Sequence, residues 1–196
     1  MAATKVKGSN QGRVMKGIIF TEFMEMVEDR FSEDVAEEII ELADLPSGGS
    51  YTSLGTYSHA EVLNLVTCLS QVSGAKIEDL VQAFGEYLFG RFADVHADFF
   101  ENVSGSLDFM MKVEDYIHIE VQKLYPEANP PKLSCDRIAD NEMTLHYASH
   151  RPFAPLAKGL IQGCAAWFKE TIEVSQEDLP GSGPGTEARF HLVKVA

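Results

Sequence analysis

The chain is poor in cysteine, in basic residues and in long apolar runs. Its three cysteines, Cys68, Cys135 and Cys164, are far apart and odd in number. That excludes a disulfide framework and any zinc-ligand spacing, and points to a reducing, cytoplasmic compartment. No uncharged apolar run approaches the length that spans a bilayer, and the opening residues lack the apolar core of a signal peptide. Lysine and arginine number 16 against 30 aspartates and glutamates, a formal charge of −14. A chain so acidic repels a phosphate backbone, which argues against nucleic acid as a partner. Its only basic cluster, Lys5, Lys7 and Arg13, falls within residues 1–14, where there is no acid.

What remains is an ordinary globular composition, 45% hydrophobic over 196 residues, enough for one substantial core. Residues 1–14 have no apolar periodicity and read as a flexible N-terminal extension to a single domain over 15–196. From Met15 the period is helical, with Ile18, Ile19, Phe23, Met26, Val27 and Phe31 on one face. Ser32 and Ser58 are N-caps of a second and a third helix, the latter ending near Gly74, and a fourth runs from Ile77 to Phe92. After Gly105 one long helix is expected through Leu107, Met110, Met111, Ile117, Val121 and Leu124, stopped by Pro126, Pro130 and Pro131. The period then becomes two. Leu133–Ile138 and Met143–Arg151 read as strands around Asp140-Asn141, and Ile172–Val174 and Phe190–Val195 as two more, joined by Gly181-Ser182-Gly183-Pro184-Gly185. A helix from Leu156 to Phe168, with Gly159 and Gly163 four apart, interrupts them. The fold class is α+β: a helical first half packed on an antiparallel sheet.

Two features carry chemistry. On an extended strand Tyr147, Ser149 and Arg151 share a face with Met143 and Leu145. Three donors in a row facing a core need an anion, which an arginine grips in bidentate fashion. On the opposite assignment that face is solvated, and Thr144, His146, Ala148 and His150 point inward. The second feature is His118, seven residues after Met111 and three before Val121, hence on an apolar helix face. Such a histidine is either a core residue donating to a carbonyl or a neutral imidazole of the kind that ligates haem iron. His59, His96, His146, His150 and His191 show no paired metal-ligand spacing and read as surface residues.

Taken together, His118, the Pro130-Pro131 turn, Tyr-x-Ser-x-Arg at 147, 149 and 151, and Gly159-Leu160-Ile161-x-Gly163 resemble the haem nitric oxide/oxygen binding (H-NOX) domains related to the haem domain of soluble guanylate cyclase. The resemblance begins at Met15-Lys16-Gly17 and covers essentially all of the folded part. It implies a b-type haem (iron protoporphyrin IX) between the two halves, with His118 as its axial iron ligand. Tyr147, Ser149 and Arg151 would clamp the propionates, and Pro131 would press on the porphyrin. In relatives that hold dioxygen, a tyrosine hydroxyl stabilises the ligand, supported by a tryptophan and an asparagine. The matching positions here are Leu156, Phe23 and Leu88. With Ile19, Phe92 and Leu160 they make an all-apolar pocket, and bound dioxygen needs a hydrogen-bond donor where nitric oxide does not.

The implied function is a bacterial, non-enzymatic sensor of nitric oxide, which also takes carbon monoxide. It is expected to act as a monomer. A chain of this length leaves no room for an output domain, so a separate histidine kinase or cyclic-di-GMP enzyme is the implied partner. Two other classes compete. A haem enzyme of peroxidase type needs a distal acid/base, and the matched positions offer none. A haem-independent thiol sensor, as in relatives with a zinc-bound cysteine cluster, has only Cys135 and Cys164 in the C-terminal half and no CxxC.

Overall fold

The computed structural model describes residues 14–126, 128–180 and 183–195. The chain opens with a short strand, β1 (Val14–Lys16), so Val14 already belongs to the fold; residues 1–13 lie outside the described residues. Helix α1 (Gly17–Arg30) follows at once. Its first amides find loop carbonyls: Gly17 N–H donates to Gly55 O at 2.8 Å and Ile18 N–H to Ser53 O at 3.1 Å. Gly17 is required there, since a Cβ would meet Thr52 O at 1.8 Å. Ser32 caps α2 (Glu33–Leu42) through Val35 N–H. Strand β2 (Thr56–Ser58) pairs antiparallel with β1, Val14 opposite Ser58. Ser58 then caps α3 (His59–Ser73), which ends on left-handed Gly74. Helix α4 (Ile77–Val95) completes this half. Phe20, Phe23, Met26 and Val27 of α1, Leu65 and Leu69 of α3, and Phe84 and Leu88 of α4 form its buried core. Arg91 on α4 reaches Glu22 and Glu25 on α1, and the Tyr87 hydroxyl donates to Asp29.

The expected single helix over 107–124 is three pieces. Helix α5 (Ser106–Lys112) runs into a π-helical turn (Val113–Ile117), and α6 (His118–Leu124) continues from it. The wider turn re-aims only the helix face beyond it, and Met111 is already turned outward before it. Leu107, Phe109 and Met110 are buried, whereas Met111 is 42% and Leu124 58% exposed, correcting the apolar face drawn through Met111. The N-terminal end of α5 is held by Glu170, which accepts from the Ser106 N–H (3.0 Å) and hydroxyl and pairs with Lys194 at 3.1 Å. Burial alone would raise the Glu170 pKa, but Ser106 and Lys194 together bring it below the ordinary carboxylate value.

The second half is a four-stranded antiparallel sheet in the order β3-β4-β6-β5, from β3 (Lys132–Ala139), β4 (Glu142–Ala148), β5 (Thr171–Asp178) and β6 (Glu187–Val195). Met143, Leu145 and Tyr147 on β4 and Ala188, Phe190 and Leu192 on β6 face the second core. Strand β4 ends at Ala148, three residues short of expectation; Ser149 N–H still reaches Thr186 O before the chain turns. Strand β5 is longer than the expected Ile172–Val174, because β6 pairs with it along its whole length. Gly181 and Ser182 of the expected loop lie outside the described residues. Helix α7 (Ala154–Trp167) joins the two cores along α4. A Cβ on Gly159 would lie 2.0 Å from Gln82 O, so this crossing depends on bare backbone.

Candidate functional site

The donor row lies against the protein interior and not on the solvent face. Tyr147 is 4% exposed and Arg151 8%, while Ala148 and His150 on the alternate positions are exposed. Ser149, half-buried, accepts from the Arg151 N–H at 3.1 Å and so shapes the turn that brings the guanidinium back to the row. Burial pushes the Tyr147 phenol pKa up, and its hydrogen bond to Ser149, the Arg151 charge and the Phe153 N–H oppose that. Arg151 donates to two backbone carbonyls, Val14 O at 2.9 Å and Asn129 O. Among the described residues no carboxylate pairs with it, and burial lowers its pKa. A buried cation with no counter-charge costs several kcal/mol, which a bound anion would offset.

On the other side, His118 opens α6 directly after the π turn, its side chain 16% exposed. Nδ1 lies 3.0 Å from Glu114 Oε2, one turn earlier on the same helix. The same oxygen accepts the Leu133 N–H at 3.0 Å. Burial lowers the imidazole pKa more than Glu114 raises it, which favours the neutral ring. Nε2 makes no hydrogen bond among the described residues, so a lone pair remains for a metal. Pro131, half-buried, immediately precedes β3. Glu114 was missed in the sequence, although its spacing of four from His118 was a readable signal.

The six apolar positions assigned to a distal pocket all belong to the helical core or pack on it. Phe23 and Leu88 are buried; Ile19, Phe92, Leu156 and Leu160 are half-buried around them. Ile19 and Leu156 line a narrow cleft with Met15, Val62, Val66, Val81, Phe84 and Phe153, and no polar side chain lines it. Phe23 stands edge-on to Phe84, centroids 5.2 Å apart, one layer behind. The other cleft residues were not singled out from sequence, because core packing and pocket lining give the same apolar signal.

These residues fit a haem. The buried Arg151 lacks the anion that a propionate supplies, the neutral His118 has a free nitrogen, and the cleft is apolar. The cysteines offer no alternative centre. Burial pushes the Cys135 thiol up to about 11 and Cys164 further in the same direction, and Cys68 is also buried. Thiols so held are poor nucleophiles. No group of three metal-ligating side chains occurs among the described residues. His96 stacks on Phe99, His146 pairs with Asp136 and His191 with Glu142. Nor, among the described residues, is any helix long and apolar enough to cross a membrane.

Comparison with known proteins agrees with this chemistry. The Haem-NO-binding family profile matches residues 16–176. The fold superposes with a TM-score of 0.86 on the unliganded Fe(II) H-NOX protein from K. algicida, 33% identical, over 93% of this chain and 97% of that one. It superposes at 0.84 on an H-NOX protein from S. oneidensis in the Fe(II)NO ligation state, 30% identical, over 93% and 100%. A soluble guanylate cyclase of Caenorhabditis elegans, gcy-35, is 26% identical over 163 residues, which is 80% of this chain and 23% of that protein. The chain thus spans about a quarter of the length of that relative. It belongs to the Haem-NO-binding, or H-NOX, family, and is a haem-based gas-sensor domain, not an enzyme.

Proposed function

We propose that the chain senses nitric oxide at ferrous haem b, excludes dioxygen, and regulates a separate histidine kinase or cyclic-di-GMP enzyme. Haem, when bound, would supply a ferrous iron that binds a diatomic gas, with His118 as the protein ligand whose bond nitric oxide would weaken. The roles divide by chemistry. His118 would hold the iron through Nε2, and Tyr147, Ser149 and Arg151 would hold the propionates by charge-assisted hydrogen bonds. Pro131, at the entry to β3, would bear on the porphyrin. None of the three cysteines sits in a CxxCH sequence, which supports a haem held without thioether bonds, as haem b is.

One observation carries the ligand preference: every side chain lining the cleft is apolar. Bound dioxygen draws negative charge and depends on a donor; nitric oxide bonds to ferrous iron without one. The same lack of a distal acid/base disfavours a peroxidase reading. A relative solved in the Fe(II)NO state supports the gas assignment. Once freed from the iron, His118 would leave its helix tied to the rest only through protein contacts, and the two halves could shift relative to each other as the state a partner reads. The test is an absorption spectrum of the ferrous protein in air-saturated buffer and again with nitric oxide. It should remain unliganded in air, oxidising slowly, and convert fully with nitric oxide. A stable oxygen complex in air would overturn the proposal.

A further inference from the structure

The contacts of Glu114 extend beyond its own helix. Its Oε2 accepts from His118 Nδ1 and from the Leu133 N–H, both at 3.0 Å. Leu133 lies on β3, an edge strand whose outward amides have no neighbouring strand among the described residues. It is two residues beyond Pro131 and stands opposite Tyr147 in the ladder. One carboxylate oxygen therefore joins the helix of the candidate iron ligand to the strand that follows the proline turn and pairs with the anion cradle.

We infer that Glu114 is a positioning residue that orients His118 toward the iron and couples its movement to β3. The inference rests on His118 being the iron ligand. Two effects follow from the geometry. A carboxylate accepting the Nδ1–H fixes the tautomer, leaves Nε2 as the donor atom, and makes the ring a more basic ligand. Because the same oxygen holds Leu133, a shift of the ring pulls on Glu114 and then on β3 near Pro131 and Tyr147. A carboxylate that only capped the strand edge would leave the iron–imidazole bond unchanged.

Two variants of the haem-loaded protein separate these effects, with two readouts: the iron–histidine stretching frequency of the unliganded ferrous form by resonance Raman, and hydrogen exchange of the Leu133 amide. Glu114→Ala should lower the stretching frequency and raise Leu133 exchange roughly tenfold to a hundredfold, the range for losing a hydrogen bond to a charged acceptor. Glu114→Gln keeps an acceptor oxygen without the charge. It should lower the frequency while leaving Leu133 largely protected, and it serves alone if the alanine variant does not fold. A wild-type frequency in either variant overturns the proposal, as does wild-type Leu133 exchange in Glu114→Ala. Failure of the ligand assignment itself reads differently: His118→Gly would then keep an unchanged ferrous Soret band without added imidazole.

Discussion

Leu156 places an isobutyl group in the wall of the cleft, at the position proposed to face the bound gas. Replacing it with tyrosine adds one donor in a low-dielectric site, worth about 1–3 kcal/mol, or roughly tenfold to a hundredfold in affinity. Ferrous Leu156→Tyr should therefore show a partial oxygen complex in air. The complex should be fuller with Leu88→Asn or Phe23→Trp added, since both positions pack in the same core and can orient the hydroxyl. Absorption spectra under graded oxygen measure this, and a double variant as inert as the wild type would count against position 156. At this scale the side chains were legible in the sequence and their backbone partners were not. The Tyr-x-Ser-x-Arg row and His118 are readable because rare side chains at fixed spacing carry them. The carbonyls of Val14 and Asn129 that receive Arg151 come from segments 137 and 22 residues away, and a carbonyl has no sequence signature. The row's inward face became decidable only once Met143, Leu145 and Tyr147 were seen buried together.

Helix punctuation was legible at three caps, although α4 runs three residues past the expected Phe92, to Val95. Ser32, Ser58 and Gly74 cap as expected because each satisfies a local hydrogen-bond need within a few residues. The π turn before His118 was not legible: nothing local in Val113–Ile117 forbids an α turn, and periodicity assumes a constant one. The short β1–β2 pair was missed as well, three residues being too few to show alternation. The seam between α4 and α7 is a third case, in which the Gly159–Gly163 spacing was visible but its partner was not. It yields a paired prediction. A Cβ on Gly159 would meet Gln82 O at 2.0 Å and Gly85 Cα at 2.9 Å, both backbone and unable to yield without parting the helices. Gly159→Ala should cost about 1–3 kcal/mol or more, lowering the melting temperature by roughly 2–4 °C per kcal/mol. Gly90, also on α4, has nothing within 4 Å of its would-be Cβ. Gly90→Ala should stabilise by about 0.5–1 kcal/mol through helix propensity alone. Thermal melts of the two variants side by side check the claim, and equal effects would show that the seam is not close-packed.

Across the whole molecule there are two cores. One is built from α1 to α4, the other from the sheet, α5, the far side of α7 and Phe89 and Ala93 of α4, and Leu160 packs against both. The candidate site draws on each. Ile19, Phe23 and Leu88 belong to the helical core, whereas Val113 and Ile117, the first and last residues of the π turn before His118, pack on the sheet core. Arg151, three residues past the end of β4, reaches across to Val14 at the start of the helical half. Under the proposed function, a group bound to both walls would tie the cores together, and cutting one attachment would free them to move about the α4–α7 seam. The cut can be made without gas. His118→Gly supplied with imidazole keeps a ligand on the iron but leaves that ligand unattached to the chain. Under the proposed mechanism its ferrous form should resemble wild type treated with nitric oxide in backbone hydrogen exchange. Protection should fall through 106–124 and at the β1–β2 pair, with the α3 and β4–β6 interiors unchanged, since those lie wholly within one core. The same variant should regulate the partner protein without nitric oxide. Exchange matching unliganded wild type, in a variant whose Soret band shows full haem loading, would mean that the attachment through His118 does not hold the cores in register.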